Sequence, residues 1–386
     1  MQRVLFILDN YYPHIGGAEK LFQNLAEELV RRGYSVTVFT PQILPSYKKE
    51  EIVNGVHIVR QWVPTFLQRY FFTFLSIPKA IKLARQHDII HTTVYNSALP
   101  AWVAAKVTGT KSIITVHEVW GKSWFRFVGN KLLATLLFVL ERAVLFLRFS
   151  RTICDSDSTL KEYKKVNPLR EVVRIYPGVV YEELLVSPKT DPENEDWKRK
   201  VGFTAKDFVV LAFGRTALNK GFKYLVEAIP SVIKQLPQAK FLFIWPEAEN
   251  FISVRDKLVR SLQENVNEQN YKIVGKKTWS ELLECIQLSD CIVIPSLSEG
   301  FGYAVVESCC IGKRVIASGV TSIPEVVGGN YILSEPGSSL ALSKAIISMS
   351  KDLYQVKPKP TQFTIDRMIN EHSELYTKLM SSEDLR

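Results

Sequence analysis

Residues 295–308 read PSLSEGFGYAVVES, and the reading of this stretch decides the parsing of the whole chain. Ahead of it runs a short apolar segment, CIVI at 291–294, closed by Pro295, which reads as a buried strand. Gly300 and Gly302 open a loop, and the apolar residues that follow predict a helix starting near Gly302. A strand, a glycine loop and a helix in that order leave backbone amides free at a helix start. The peptide dipoles there favour a phosphate or a sugar oxygen. Glu299 falls in the loop, and Glu307 within the first two helical turns. A carboxylate set back in this way can accept hydrogen bonds from both hydroxyls of a ribose, each contributing about 1.5–3 kcal/mol.

Upstream, FGRTALNKG at 213–221 also follows an apolar strand. Its Arg215 offers a planar fork and its Lys220 a compact charge, and the two can converge on one diphosphate. Taken alone, the segment also reads as an ordinary charged loop. ITVHE at 114–118 ends a strand with His117, at the carboxyl edge where open α/β sheets hold ligands; a structural histidine is the alternative. Near the start, YYPHIGGAEK at 11–20 puts Gly16 and Gly17 at the entrance to a helix. The pair does not form GxGxxG, which argues against a dinucleotide-dependent dehydrogenase. Apolar runs at 4–8, 36–40, 88–91, 112–116, 208–213, 240–245, 271–274, 290–294 and 314–317 alternate with helical patterns. One of these, Leu21, Phe22, Leu25, Leu29 and Val30, stops at Gly33. Such alternation predicts an α/β protein with parallel sheets covered on both faces.

Taken in order, Gly16-Gly17, His117-Glu118, Arg215 with Lys220-Gly221, and the spaced pair Glu299 and Glu307 give a chain that resembles retaining glycosyltransferases of family four over essentially its whole length. The resemblance implies the GT-B type: two facing Rossmann-like domains with an interdomain cleft, and a last helix that returns to the first domain. The expected division is an N-terminal acceptor domain at 1–180, completed by a helix within 362–386, and a nucleotide-sugar donor domain at 181–361. The resemblance implies Arg215 and Lys220 at the donor diphosphate, Glu307 at the ribose, and Glu299 beside the donor sugar and its reacting carbon. It also implies backbone amides of Phe301 and Gly302 at the sugar or phosphate, Gly275 and Lys276 cupping the base, Gly16 and Gly17 near the diphosphate and acceptor, and His117 at the sugar. The chain departs from the family at Trp245-Pro246-Glu247, where a glycine-rich turn is common, and at Pro177-Gly178-Val179-Val180, where many members have Asn-Gly-Val-Asp.

Bulk properties fit this reading. A chain of 386 residues exceeds what one core usually supports, and 46% hydrophobic with 23% charged residues excludes collagen-like and disordered classes. Residues 1–175 hold 24 Lys and Arg against 13 Asp and Glu, so the first half carries the entire net charge of +10. Between 119 and 151, Lys122, Arg126, Lys131, Arg142, Arg148 and Arg151 face one acid, Glu141, and alternate with Trp120, Trp124, Phe125 and Phe127. Trp62, Phe66, Phe71, Phe72 and Phe74 lie in a second aromatic stretch. A basic and aromatic surface of this kind predicts contact with an anionic membrane. No run reaches the roughly 20 apolar residues of a membrane span. The nearest, 131–149, is expected to be a buried helix of the first domain. The polar stretch 187–200 reads as a linker or its aftermath, and the opening MQRVLFILDN as a first strand rather than a signal peptide. Five cysteines without CxxC spacing are expected to be free thiols in a reducing cytosol.

The predicted activity is transfer of a hexose, with retention, from a nucleoside-diphosphate sugar to an acceptor hydroxyl that is lipid-linked or membrane-associated. The protein is expected to be cytoplasmic or peripheral on the inner membrane face. No cofactor and no metal are expected, because Arg215, Lys220 and a helix dipole can neutralise the donor phosphates. Asp155-Ser156-Asp157 is read as a chance DxD match. Charge alone suggests nucleic acid, and no recognition motif supports it. A sugar-nucleotide epimerase, a sugar phosphorylase and a non-catalytic nucleotide-sugar-binding subunit remain as alternatives.

Overall fold

The computed structural model describes residues 2–14, 16–64, 66–184, 191–247 and 251–381. The chain divides into two units, 1–178 with 363–386, and 179–362.

The first unit contains β1 (Arg3–Ile7), β2 (Ser35–Gln42), β3 (Glu50–Val53), β4 (Val56–Trp62), β5 (Ile89–Thr93), β6 (Lys111–Val116), β7 (Arg151–Cys154) and β8 (Val172–Arg174). They form one sheet in the order β3-β4-β2-β1-β5-β6-β7-β8, parallel except for the β3–β4 hairpin. Leaving aside that edge hairpin strand, the order from β4 to β7 is the doubly wound 3-2-1-4-5-6 pattern. Strands covered on both faces are mostly apolar, which is why β1 was legible as a run; β5, IIHTT, is buried along its length although it carries His91, Thr92 and Thr93. One face, with Val4, Phe6, Val36 and Val38, packs against the helix Gly17–Arg31 and the C-terminal helix Ile365–Met380. His91 of β5 ties that last helix down: its Nδ1 lies 2.6 Å from the Tyr376 hydroxyl and its Nε2 2.7 Å from Thr115 Oγ1. Gly178 has no side chain because the returning chain passes over it; a Cβ there would lie 2.6 Å from Ile365 Cα.

The second unit contains β9 (Phe208–Phe213), β10 (Ala239–Ile244), β11 (Tyr271–Val274), β12 (Cys291–Ile294), β13 (Val315–Ser318), β14 (Gly329–Ser334) and β15 (Gln355–Lys357). Their order is β11-β10-β9-β12-β13-β14-β15, with β15 antiparallel, so the same pattern recurs from β11 to β14. The helices Phe222–Gln235 and Ser339–Ser350 pack over Val210, Ala212, Phe241, Phe243 and Ile316. Trp245, standing where a glycine-rich turn is common, is fully buried against Phe243 and Phe222.

Two expectations are corrected. Of the stretch 187–200, read as a linker or its aftermath, 187–190 lie outside the described residues, whereas Asp191–Lys200 is a helix of the second unit. It is anchored by buried Trp197 and by Lys198, whose Nζ donates to Asp207 O (2.7 Å) and Asp290 Oδ2 (3.0 Å). The segment expected to be a buried helix is the helix Lys131–Phe146, but only Ala134, Glu141 and Leu145 are buried, while Leu132 is 81% exposed. Leu133, Leu136, Val139, Leu140 and Phe146 are exposed as well. The acid faces inward because its carboxylate accepts the backbone amides of Trp120 (2.7 Å) and Gly121 (2.8 Å). The five cysteines are free and buried, and burial pushes the Cys285 and Cys310 thiols up to about 11.

Candidate active site

In a doubly wound sheet, ligands bind at the carboxyl edge where the strand order reverses. In the second unit that point lies between β9 and β12, which pair directly. The two loops leaving it are the sequence-predicted segments around Lys220 and Glu299. They are stitched together: Leu297 N donates to Asn219 O at 2.6 Å. Gly221 adopts the left-handed region (φ 67°), and a Cβ on it would run into the Pro295 carbonyl oxygen. This close approach sets Lys220 Nζ 2.7 Å from Glu299 Oε1, an ion pair that is largely buried on the carboxylate side. Ser296 Oγ donates to the same oxygen at 2.6 Å. The Glu299 amide donates to Thr321 Oγ1 (2.9 Å), and Ser322 Oγ donates to the carbonyls of Glu299 (2.9 Å) and Phe301 (3.0 Å). Glu299 is thus a fixed, acceptor-rich group in contact with a cation.

Gly302, at φ 94°, starts the helix Tyr303–Ile311, on which Glu307 is buried. Arg215 is exposed, with its guanidinium 6.0 Å from the centre of the Phe251 ring. Gly275 and Lys276 follow β11 and are exposed, and the space beside Gly275 is open.

In the first unit, Gly16 precedes the helix Gly17–Arg31 in extended conformation. Glu19 occupies that helix's first turn, and its Oε1 accepts from Asn10 Nδ2 at 3.3 Å. His117 follows β6, and Asp155 follows the neighbouring β7. Their side chains meet, with His117 Nδ1 2.5 Å from Asp155 Oδ2. Burial works against charge on this ring, but the charge and hydrogen bond of Asp155, with Glu19 and Glu118, outweigh it and hold its pKa above the ordinary imidazole value. The two carboxylates of Asp155-Ser156-Asp157 diverge, since Asp157 pairs with Arg174 (3.0 Å) and the Tyr176 hydroxyl (3.2 Å). Among the described residues no group of three His, Cys, Asp or Glu could hold a metal ion.

Sequence reasoning missed Ser296, Thr321 and Ser322, which hold the Glu299 loop, and the partnership of Asp155 with His117. A serine three residues before the acid is a local signal for the first of these. The others come from separate strands and have no signal in sequence spacing.

Comparison with known proteins agrees with this geometry. The profile described as Glycosyltransferase Family 4 matches residues 15–183, and that described as Glycosyl transferases group 1 matches residues 193–363. The phosphatidylinositol N-acetylglucosaminyltransferase gpi3 subunit of Schizosaccharomyces pombe is 25% identical over 83% of this chain and 67% of its own length. The D-inositol 3-phosphate glycosyltransferase of Corynebacterium urealyticum is 21% identical over 81% of this chain and 76% of its own. Among solved structures, the sucrose-phosphate synthase of Thermosynechococcus elongatus superposes with a TM-score of 0.82 at 20% identity, covering 99% of this chain and all (100%) of that one. Anabaena HepE, solved with UDP and glucose, superposes with a TM-score of 0.77 at 17% identity, covering 98% of this chain and 100% of its own. Two doubly wound sheets of the GT-B type and profile matches that run through both units lead to one conclusion: the chain is a glycosyltransferase and belongs to glycosyltransferase family 4.

Proposed function

We propose that this glycosyltransferase transfers a hexose, with retention, from a nucleoside-diphosphate sugar to a hydroxyl of a lipid-linked acceptor at an anionic membrane surface, without a metal ion. The observation that carries the reading is the Lys220–Glu299 pair at the strand-order reversal of the second unit. In the reaction the bond from the anomeric carbon to the diphosphate breaks, the acceptor oxygen bonds to that carbon, and the hydroxyl proton leaves with the diphosphate. The developing negative charge is on the leaving group, so a preorganised cation there lowers the barrier directly. Lys220 and Arg215 take this role. Glu299, engaged by Lys220 and Ser296 through one oxygen, suits an orienting carboxylate that binds sugar hydroxyls. Backbone amides of Phe301 and Gly302 would serve the sugar or phosphate, Gly275 and Lys276 the base, Glu307 the ribose, and Gly16, Gly17 and His117 the donor and acceptor.

The membrane reading rests on the first unit. The helix Gln68–Leu75 and the helix Lys131–Phe146 lie on the same face of its sheet, where Phe72 packs with Leu5 and Ile7, and Leu145 with Ile114. Both turn apolar side chains outward, with Phe66 73% and Phe74 64% exposed near the first of them. Exposed Lys122, Arg126, Lys131 and Arg148 lie around the second. Near an anionic surface each such cation contributes about 1 kcal/mol. No helix among the described residues is long and apolar enough to cross a membrane. The relative named for phosphatidylinositol favours a lipid acceptor, whereas the one named for D-inositol 3-phosphate points to a soluble one.

The test is turnover with UDP-glucose and UDP-N-acetylglucosamine, with and without EDTA, against phosphatidylinositol and phosphatidylglycerol vesicles. Product with the α-linkage of the donor, formed on a lipid and resistant to EDTA, supports the reading. An inverted linkage, an EDTA-sensitive rate or transfer confined to soluble acceptors counts against the corresponding part.

A further inference from the structure

Asp155 takes no part in the chemistry above, yet it is buried, and its Oδ2 lies 2.5 Å from His117 Nδ1. Asp155 Oδ1 and His117 Nε2 are screened from solvent, and neither has a partner. The grip on His117 is double. Thr159 Oγ1 donates to the His117 carbonyl at 3.0 Å, and Ser156 Oγ accepts from the Thr159 amide at 3.1 Å as the cap of the helix Asp157–Val166. The segment after β7 therefore fixes the ring through Asp155 and the backbone through Thr159. His91 of β5 shows the alternative of a saturated structural histidine, with both ring nitrogens bonded within the protein. His117 is held just as firmly but keeps one nitrogen unused.

We propose that Asp155 is a positioning residue for His117, keeping a proton on Nδ1 and aiming Nε2 at the donor sugar as the ring atom left for a ligand. This rests on the proposed placement of His117 at the donor. The bond made by one imidazole nitrogen sets the state of the other. The charged and titratable groups around the ring are Asp155 after β7, Glu19 on the helix Gly17–Arg31, Glu118 beside it in the chain, His91 on β5 and, acting on Asp155, buried His372 on the helix Ile365–Met380. Burial holds His91 neutral, and the carboxylates favour the protonated form of His117. Nε2 is then a charged N–H donor that a sugar oxygen can accept.

The experiment measures kcat/KM for UDP-glucose and UDP-N-acetylglucosamine, across pH, in the full chain carrying His117→Gln, Asp155→Asn or both. The expected result is a loss of about 10–100-fold in each single variant. The double variant should be no worse than His117→Gln alone, and in Asp155→Asn the limb of the pH profile that depends on His117 should move to lower pH. An added loss from Asp155→Asn in the His117→Gln background, or full activity in Asp155→Asn while His117→Gln is impaired, would overturn the inference and leave the donor reading intact. Wild-type turnover in His117→Gln would overturn the donor reading and the inference with it. If Asp155→Asn fails to fold, ring 15N titration of His117 in the unaltered protein decides. Protonated Nδ1 with a pKa above about 6.5 supports the proposal, and a proton confined to Nε2 overturns it.

Discussion

Lys220 Nζ and Glu299 Oε1 lie 2.7 Å apart although their residues are 79 positions apart in the chain. The contact exists because β9 and β12 are neighbours and their loops leave the same edge of the sheet. On the proposed reading a bound diphosphate competes with Glu299 for Lys220, while Ser296 keeps its hold on the carboxylate.

Removal of the cations should act on the chemical step. Lys220→Ala and Arg215→Ala are each expected to lower kcat by about 100- to 1000-fold, or about 3–4 kcal/mol, in protein that stays folded. Steady-state kinetics with a thermal melt of each variant checks this, and near-normal turnover in either would remove that residue from the leaving-group role.

The two acids should separate. Glu299→Gln keeps the shape but loses the charge facing Lys220, and is expected to lower kcat more than donor affinity. Glu307→Gln is expected to raise the donor KM with a smaller effect on kcat. Titration of nucleotide binding by calorimetry alongside turnover distinguishes the two, and identical profiles would discard the division of roles.

Gly221→Ala should be costly where Gly275→Ala is not. At Gly221 a Cβ must adopt a left-handed conformation and meet the Pro295 carbonyl, whereas Gly275 faces open space. The expected destabilisation is at least about 2 kcal/mol for Gly221→Ala and within about 0.5 kcal/mol for Gly275→Ala, read from denaturant unfolding.

Stability should fall on the acid side through buried histidines. Burial holds His91 well below the ordinary imidazole pKa, so the unfolded chain takes up a proton below about pH 6.5 that the folded chain refuses. Its contribution is complete above that pH and is lost as the pH falls, at up to about 1.4 kcal/mol per pH unit. His91→Gln should be less stable at pH 7.5 and show a shallower decline between pH 6.5 and 5. An unchanged slope would mean other groups govern acid unfolding.

The exposed leucines should matter to membranes and not to folding. Leu132→Gln with Leu136→Gln is expected to weaken sedimentation with anionic vesicles at least about tenfold while changing stability by less than about 0.5 kcal/mol. Unchanged vesicle binding would place the docking surface elsewhere.

The sequence by itself determined nine of the fifteen strands described, the parallel α/β class and the loops proposed to carry the chemistry. Buried parallel strands are mostly apolar, and glycine is favoured where a loop turns left-handed or approaches another backbone, as at Gly221, so these features are written locally. The β3–β4 hairpin, turning at Asn54-Gly55 with both at positive φ, was missed because its charged edge strand gives no apolar run. Tertiary structure alone decided which groups meet. Lys220 finds Glu299 through strand order, and Asp155 finds His117 because β6 and β7 are adjacent. It also decided which way the helix Lys131–Phe146 faces. A helix apolar nearly all round has no periodicity to show its buried side. Glu141 turns inward because two backbone amides on another segment need its carboxylate, and the leucines are left on the surface.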